Sequence, residues 1–507
     1  MKQKILWLSG GLLFYFLIWL WLATPYPFVP CDDFTAWRML CGEIPIRLHY
    51  VWSDVWLKGV YNLVQTPSAL AISSLVCNTV CLALITLWMY RITRSVWASL
   101  LVFGLYVTSA WPSHYVLAWS YTPVPCCLAF AAAILLEKSF LSPLGLVLLA
   151  LCALSAPAAL AATLVIGVVT FLSHSGWTSK PKEKARFWVT VGIGVGLLVV
   201  AAALGFVKDY QVAVTENLNS QHRFYAVQKF GHVPQFPAIA GLWMDSYYSL
   251  AFTILFLAAS VVAVAMAVRP SPGSGRLERA AIVIGLIAWS HELLVDWLPT
   301  TKLGRTCFMT FPFQCALIVL AFVWLHQRLK KSPIVVFLVV LSLIAAAEGT
   351  YHSSRIWSAR TSLPRFIRRE LPDVQWVLPT REDPHGRWLM QWLSPHLAFK
   401  NPIEPPSPVD FNNSDTRRHV ALIIGPSGPR SGVTMMTHGC LSDWNGVNVS
   451  NLVVQLDAKT KSSLFFAYEP LFCFEEENCT GLLAEGYFPD FLTEESKRVT
   501  LVYWPQR

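Results

Sequence analysis

Two adjacent carboxylates, Asp32 and Asp33, follow the first long apolar segment, Ile5 to Ala23, and open the stretch CDDFTAWRMLCGEIP. A carboxylate held where lipid gives way to water can take the proton of a hydroxyl as that oxygen attacks a carbon. It can equally cap a helix lying in the interface, since Asp is favoured at the N-cap and in the first turn. Arg47, His49, Asp54 and Lys58 stand in the same stretch. Arg47, His49 and Lys58 suit a phosphate or a lipid headgroup, with plain interface residues as the alternative. Farther along come Lys302 and Arg305, and before them His291, Glu292 and Asp296, the last two spaced i, i+4 on one face of a helix. Ionisable groups inside a membrane segment are costly and point by default to a functional cavity. This cluster suits an acceptor or a divalent cation, although nothing in the sequence requires a metal, and the alternative is hydration at the interface. His222, His232 and His352 are isolated and read as solvated loop residues. There is no Gly-rich phosphate loop, no Cys-x-x-Cys and no recognisable Ser-His-Asp arrangement, which disfavours a cytosolic nucleotide-sugar enzyme.

The elements that must position these residues are membrane helices. The chain has 507 residues, of which 55% are hydrophobic and 14% charged. Apolar runs approach the roughly 20 residues that a helix needs to cross a hydrocarbon core. About eleven such segments are predicted, near 5–23, 68–90, 96–111, 119–136, 142–155, 157–173, 187–207, 246–268, 280–298, 306–325 and 334–350. The pair 142–155 and 157–173 is divided only by Ser155-Ala156-Pro157, where proline marks either a kink or a re-entrant turn. The first segment starts with Lys2 and Lys4, is longer than a usual signal h-region and lacks an A-x-A site before TPYPFVP, so it reads as a retained anchor.

The net charge of +9 looks like that of a nucleic-acid binder until the charges are placed. Lys2/Lys4, Arg91/Arg94, Lys138, Lys180/Lys182/Lys184/Arg186, Arg269/Arg276/Arg279 and Arg328/Lys330/Lys331 occupy alternate loops. With eleven crossings they share one side, which the positive-inside bias makes the cytoplasm. Asp32 and Asp33, the loops 208–245 and 299–305 and everything after 350 then face the periplasm or lumen. The first outer loop carries two amphipathic patterns, Phe34, Trp37 and Leu40/Cys41, then Val51/Trp52, Val55/Trp56 and Val60. They predict short interfacial helices with aromatic faces toward lipid.

Of the twelve cysteines, Cys77, Cys81, Cys126, Cys127, Cys152, Cys307 and Cys315 lie in apolar segments as small hydrophobes. If residues 32–40 are helical, Cys31 and Cys41 stand ~14 Å apart, beyond the roughly 4.4–6.8 Å that a disulfide spans. Helix and bridge exclude one another there, and the helix is preferred. Cys473 and Cys479 can close a small loop in an oxidising compartment, leaving Cys440 over. The chain after about Glu348 has no spanning segment. Its strand-like runs, 419–424, 451–456 and 499–503, are separated by Gly/Pro/Asn-rich turns and a linker at about 401–415, which predicts a small α+β domain. Sequons at Asn412, Asn448 and Asn478 all fall in this tail.

The string Asp32-Asp33 … Trp37-Arg38-Met39-Leu40 … Gly42-Glu43-Ile44-Pro45 resembles the first-loop signature of GT-C-type glycosyltransferases, polytopic enzymes that use lipid-phosphate sugars, such as bacterial aminoarabinose transferases and protein O-mannosyltransferases. In that family an acidic pair, usually Asp-Glu, precedes an Arg/Met/Leu helix and a Gly-x-x-x-Pro exit. His49 stands where the family often has His or Lys. Val64-Gln-Thr-Pro67-Ser68 resembles the start of its second crossing and Tyr90-Arg91-Ile-Thr-Arg94 the basic end of that crossing. Lys302-Leu-Gly-Arg305-Thr-Cys-Phe308 … Phe311-Pro312 is similar to the Arg-Tyr … Pro start of a late family helix. The resemblance covers roughly residues 1–350. Three departures stand out: Asp33 replaces Glu, Lys-Pro-Pro-Leu is missing after His49, and the second outer loop, Pro112-Ser-His114-Tyr115, carries no carboxylate.

The resemblance implies an all-α polytopic membrane protein, GT-C-like over 1–350, with an extracytoplasmic C-terminal domain over 351–507. It also implies inverting transfer of a sugar from an undecaprenyl- or dolichyl-phosphate carrier to a lipid, glycan or protein acceptor. Asp32 or Asp33 would be the base, with Asp32 preferred as first of the pair. Lys302 and Arg305, with Arg47 and His49, would neutralise the departing phosphate. Partners would be the polyprenyl-linked sugar, the acceptor and membrane lipids, with no nucleic acid. The compact loops favour a bacterial inner membrane, with the endoplasmic reticulum second. Two rivals come from other classes. A transporter or flippase of a lipid-linked substrate would place its acids at mid-membrane and show repeat symmetry. A non-catalytic envelope scaffold would use Asp32 and Asp33 as helix caps.

Overall fold

A computed structural model of the chain describes residues 2–23, 36, 39–40, 42, 46, 50–65, 69–109, 123–136, 142–155, 159–174, 249–268, 275–297, 310–329 and 333–370, together with six strands, with backbone alone at several helix ends and in the strands. The helices are α1 (Lys2–Ala23), α2 (Val51–Val64), α3 (Ala69–Thr93), α4 (Val96–Thr108), α5 (Pro123–Leu136), α6 (Pro143–Ala153), α7 (Ala159–His174), α8 (Leu250–Val268), α9 (Gly275–Trp297), α10 (Phe311–Leu329) and α11 (Pro333–Glu370). Each predicted apolar segment from 5–23 to 157–173 and from 246–268 to 334–350 coincides with one of them; the segment 187–207 lies outside the described residues. Four spans, Ala69–Thr93, Leu250–Val268, Phe311–Leu329 and Pro333–Tyr351, are long and apolar enough to cross a membrane. The chain is a helical membrane protein.

Local chemistry sets the helix ends. Arg94 adopts the left-handed conformation (φ 57°) and its N–H returns to the Tyr90 carbonyl at 2.8 Å, which closes α3. Ser95 then caps α4 by accepting from the Ala98 N–H, so two residues suffice to reverse the chain. Ser142 caps α6 in the same way, with Pro143 in the first turn, where its missing N–H costs nothing. The break predicted at Ser155-Ala156-Pro157 is present, because α6 ends at Ala153 and α7 starts at Ala159.

The described side chains are arranged with apolar groups on both the inside and the outside. Trp97 (80% exposed), Val261 (71%) and Leu343 (66%) project outward, as suits hydrocarbon rather than water. Inside, α10 is the hub: it packs against α3, α4, α8, α9 and α11. Its residues Phe311 to Ala321 are all buried. Phe313 stacks on Phe130 of α5 at 4.3 Å between ring centroids, and Phe311 lies between Phe252 of α8 (5.3 Å) and Tyr106 of α4 (6.1 Å).

These contacts orient the helices. Tyr106 ends α4 and Phe311 begins α10, so the two run antiparallel, and Arg94, Ser95 and Arg328 share the other end of the bundle. Arg328 lies over the Trp324 ring there, 4.2 Å from its centroid. The end opposite this basic one carries Thr108, Ser155, Ser249, Thr310 and Glu348.

In the C-terminal region the backbone forms strands β1 (Trp376–Pro379), β2 (Trp392–Leu393), β3 (Val420–Ile424), β4 (Val454–Lys461), β5 (Leu471–Phe472) and β6 (Arg498–Tyr503). They pair in the order β2-β1-β3-β6-β4-β5. The β1–β3 ladder is parallel and the others are antiparallel. Strands β3, β4 and β6 overlap the runs expected at 419–424, 451–456 and 499–503. Strands β1, β2 and β5 were not anticipated, being short and without clear alternation.

Candidate functional site

The connection between α1 and α3 is not a simple linker. Helix α2 places Ser53, Asp54 and Leu57 inward, each with 0% exposure, while Trp52, Val55, Trp56 and Leu63 remain exposed. At a helical turn of about 100° per residue, Asp54 stands roughly opposite Trp52 and Trp56. The aromatic face predicted to meet lipid does point outward. The opposite face, which in a soluble protein would be the wet one, is turned into the protein. Helix α2 ends where Gln65 turns left-handed (φ 54°) and returns its N–H to the Tyr61 carbonyl at 2.7 Å.

Two contacts hold this helix in place. The Ser53 hydroxyl donates to the backbone carbonyl of Ser155, 3.1 Å away, at the break between α6 and α7. A break in a membrane helix pair frees backbone acceptors, and a serine from a neighbouring element is a usual way to satisfy one. Leu57 joins a cluster with Leu70 and Cys77 of α3, Val124 of α5, and Ala36, Met39 and Leu40. The last three are helical residues of the stretch that follows the acidic pair, as expected for 32–40. Gly42 ends it in the left-handed region (φ 82°), with its N–H on the Met39 carbonyl at 3.1 Å. The described parts of the first connection are therefore packed down against the end of the bundle opposite Arg94 and Arg328.

A second polar constellation crosses the bundle just beneath. The Tyr106 hydroxyl donates to Asn78 Oδ1 at 3.1 Å, and Asn78 Nδ2 donates to the Ser74 carbonyl at 2.9 Å and to Ser74 Oγ at 3.3 Å. Every strong group of the Asn78 amide is engaged, as burial in an apolar medium demands. Around it lie thiols acting as small donors: Cys127 Sγ reaches the Cys77 carbonyl at 3.1 Å and Cys152 Sγ the Pro125 carbonyl at 3.3 Å. Cys77, Cys81, Cys126, Cys152 and Cys315 are buried free thiols and Cys127 is half-buried, in agreement with their reading as small hydrophobes. Cys307 lies outside the described residues.

The residues singled out from sequence fall unevenly. Asp32, Asp33, Arg47, His49, Lys302 and Arg305 lie outside the described residues. The backbone is helical through His291, Glu292 and Asp296 in the last part of α9, while their side chains lie outside the description. Just before them, Trp289 donates to Ser260 Oγ at 2.9 Å and stacks on Phe256 at 5.3 Å, which holds this part of α9 against α8. Among the described residues no group of three His, Cys, Asp or Glu side chains is placed to hold a metal ion.

Sequence reasoning placed Asp54 only near the headgroup level and passed over Asn78. The angular separation of Asp54 from the two tryptophans was the available signal for its burial. Asn78 carried a plainer one, an amide in the middle of an apolar run. No protein-family model matches the chain, and no curated protein aligns with it significantly.

Proposed function

We propose that this chain is a membrane glycosyltransferase of GT-C type that moves a sugar from a polyprenyl-phosphate carrier to a lipid, glycan or protein acceptor. In this reading eleven helices cross the membrane, the basic end of the bundle is cytoplasmic, and the C-terminal strands form a small α+β domain on the other side. A bacterial inner membrane is the first setting and the endoplasmic reticulum the second.

The observation that carries the reading is the docked first connection. A chain that merely needed to link α1 to α3 has no use for an inverted amphipathic helix, a buried carboxylate and a serine tied to another helix pair. Burying Asp54 and aligning α2 costs free energy that a flexible linker would avoid. Such a cost is sensible where a neighbouring segment must be held still, and the segment in question begins with Asp32 and Asp33. The resemblance of that segment to the GT-C first loop supports the same assignment.

Within this reading one carboxylate of the pair removes the acceptor proton as the hydroxyl oxygen attacks the anomeric carbon. The bond to the carrier phosphate breaks on the opposite face. Lys302 and Arg305 offset the charge that develops on the leaving phosphate.

The test is transfer of a radiolabelled sugar from a polyprenyl-phosphate donor, in membranes carrying Asp32→Asn or Asp33→Asn at equal folded protein level. Loss of the base lowers the rate by about 10²-fold or more in at least one variant. Full transfer by both variants would sink the proposal. Unchanged lipid-carrier flux with no transfer in the parent would make it a transporter, and retained partner binding alone a scaffold.

A further inference from the structure

Helix α11 runs unbroken for 38 residues, from Pro333 to Glu370. Its span Pro333–Tyr351 is among the most apolar in the chain, yet only 28% of it is buried. Leu338, Leu341, Ser342 and Ala345 form the narrow buried stripe, at i, i+3, i+4 and i+7, and Val336, Phe337, Val340 and Leu343 face outward. A helix held by so thin a seam has little to fix its tilt, because lipid is as good an apolar neighbour as another helix. The fixing comes at the end of the span.

There, Glu348 Oε2 accepts a hydrogen bond from Ser249 Oγ at 2.7 Å and from the Ala251 N–H at 3.3 Å. Both donors belong to the start of α8. Ser249 already caps its own helix, since its Oγ accepts from the Phe252 N–H at 3.0 Å. The α8 terminus therefore has a local cap, and the carboxylate from α11 is a second one brought from 97 residues away. One residue on, Gly349 lies against α4: a β-carbon there would collide with the Thr108 carbonyl and stand 3.2 Å from Ser109 Cα. The end of α4 and the start of α8 meet the middle of α11 at this point, and only glycine allows the approach. Beyond it α11 continues and touches strand β5.

We propose that α11 is a latched strap: the Glu348–Ser249 joint fixes where the helix leaves the bundle and so couples the C-terminal strands mechanically to the first turn of α8. A charge-assisted bond at a helix N-terminus is strong enough to act as the latch, because the carboxylate meets both a hydroxyl and the positive end of the α8 dipole. Opening the joint loosens the start of α8 and the distal half of α11 together. None of these contacts involves the acidic pair, so sugar transfer and the latch fail independently.

The experiment compares the full chain with Glu348→Ala, Glu348→Gln and Ser249→Ala, in nanodiscs of phosphatidylethanolamine and phosphatidylglycerol. Two readouts are followed: amide hydrogen exchange at residues 250–254, and tryptic cleavage after Arg355, Arg360 and Arg365. Glu348→Ala removes both bonds, and both readouts rise by at least about tenfold, the factor that even one bond to a charged group carries, while α10 amides keep their rates. Glu348→Gln, which still accepts but lacks the charge, falls between; Ser249→Ala leaves the Ala251 bond but also removes the cap on Phe252, so it raises exchange at 250–254 by more than it raises cleavage. If exchange at 250–254 rises while cleavage of the distal half does not, Glu348 is a cap and no latch. Unchanged values of both, or a uniform rise in every helix, overturn the strap equally.

Discussion

Helices α10 and α11 follow one another in the chain and differ in almost every respect that matters. Phe311–Leu329 is the least apolar of the four long spans and 61% of it is buried; Pro333–Tyr351 is far more apolar and 28% buried. In water the order would be reversed, because apolar area is driven inward. In a bilayer the surroundings are themselves hydrocarbon, so hydrophobicity qualifies a helix to face lipid and does not send it inside. What sends α10 inside is shape. Its phenylalanines stack on Phe130 and Phe252, and its buried Gln314 is a polar group that lipid could not satisfy.

The sharpest way to break this contrast is to cut the same side chain from each helix. Phe313→Ala removes a ring stacked at 4.3 Å and leaves a cavity walled by α5 and α10, a loss of about 3 kcal/mol or more. Phe337→Ala removes a ring that is 59% exposed, where lipid refills the space, and costs less than about 1 kcal/mol. Unfolding in SDS titrated against a fixed mild detergent checks both. Equal losses would show that α11 packs as tightly as α10 and that the contrast is false.

A smaller effect sharpens the comparison at the one place where α11 is tightly held. Gly349→Ala forces a methyl group against the Thr108 carbonyl, which is backbone and cannot rotate away. Helices α4 and α11 must separate, at about 1–3 kcal/mol by the usual cost of overpacking. The same substitution at Gly104, where a β-carbon meets nothing within 4 Å, should stabilise slightly or leave stability unchanged. A Gly349→Ala protein as stable as its parent would mean that the end of α4 does not pack on α11 as described.

Much of the helical plan could be read in the sequence because apolar spans advertise themselves by composition, whether they face lipid, as α8 and α11 largely do, or lie mostly inside, as α3 does. Even the short pair α6 and α7 was divisible at Pro157. Helix α2 was legible as well, since Trp52 and Trp56 at i, i+4 mark a face. Which face meets lipid followed from the aromatic residues; the burial of Asp54 on the opposite face was not read from them. The joints between helices were not legible. Glu348 looked like the place where the membrane body ends, and nothing local tells that its partner is Ser249. Gln314 and the lower hydropathy of α10 hint at an inside position, but which helices it joins as the hub is a matter of fit between surfaces distant in sequence. The acidic pair itself was found by pattern alone, and its neighbours Ala36, Met39 and Leu40 are the residues that tie it to the bundle.

The smallest effect belongs to the polar bridge between α3 and α4. Tyr106→Phe keeps the ring against Phe311 and removes only the hydroxyl that donates to Asn78 Oδ1. An interhelical hydrogen bond in lipid is worth about 0.6 kcal/mol on average, less than either ring or backbone change above. The residual cost comes from leaving the Asn78 oxygen without its donor, while its amide nitrogen still reaches Ser74. Asn78→Ala removes the acceptor and leaves the buried Tyr106 hydroxyl without it, so it should cost somewhat more than Tyr106→Phe, while Ser74 Oγ can turn to the carbonyl one turn before it. The double variant should then cost no more than Asn78→Ala alone, because it also removes the hydroxyl that Asn78→Ala leaves without its acceptor. Additive losses in that cycle would mean that Tyr106 and Asn78 are stabilised by separate neighbours. The inside of this bundle would then be held by shape with no help from polar pairing.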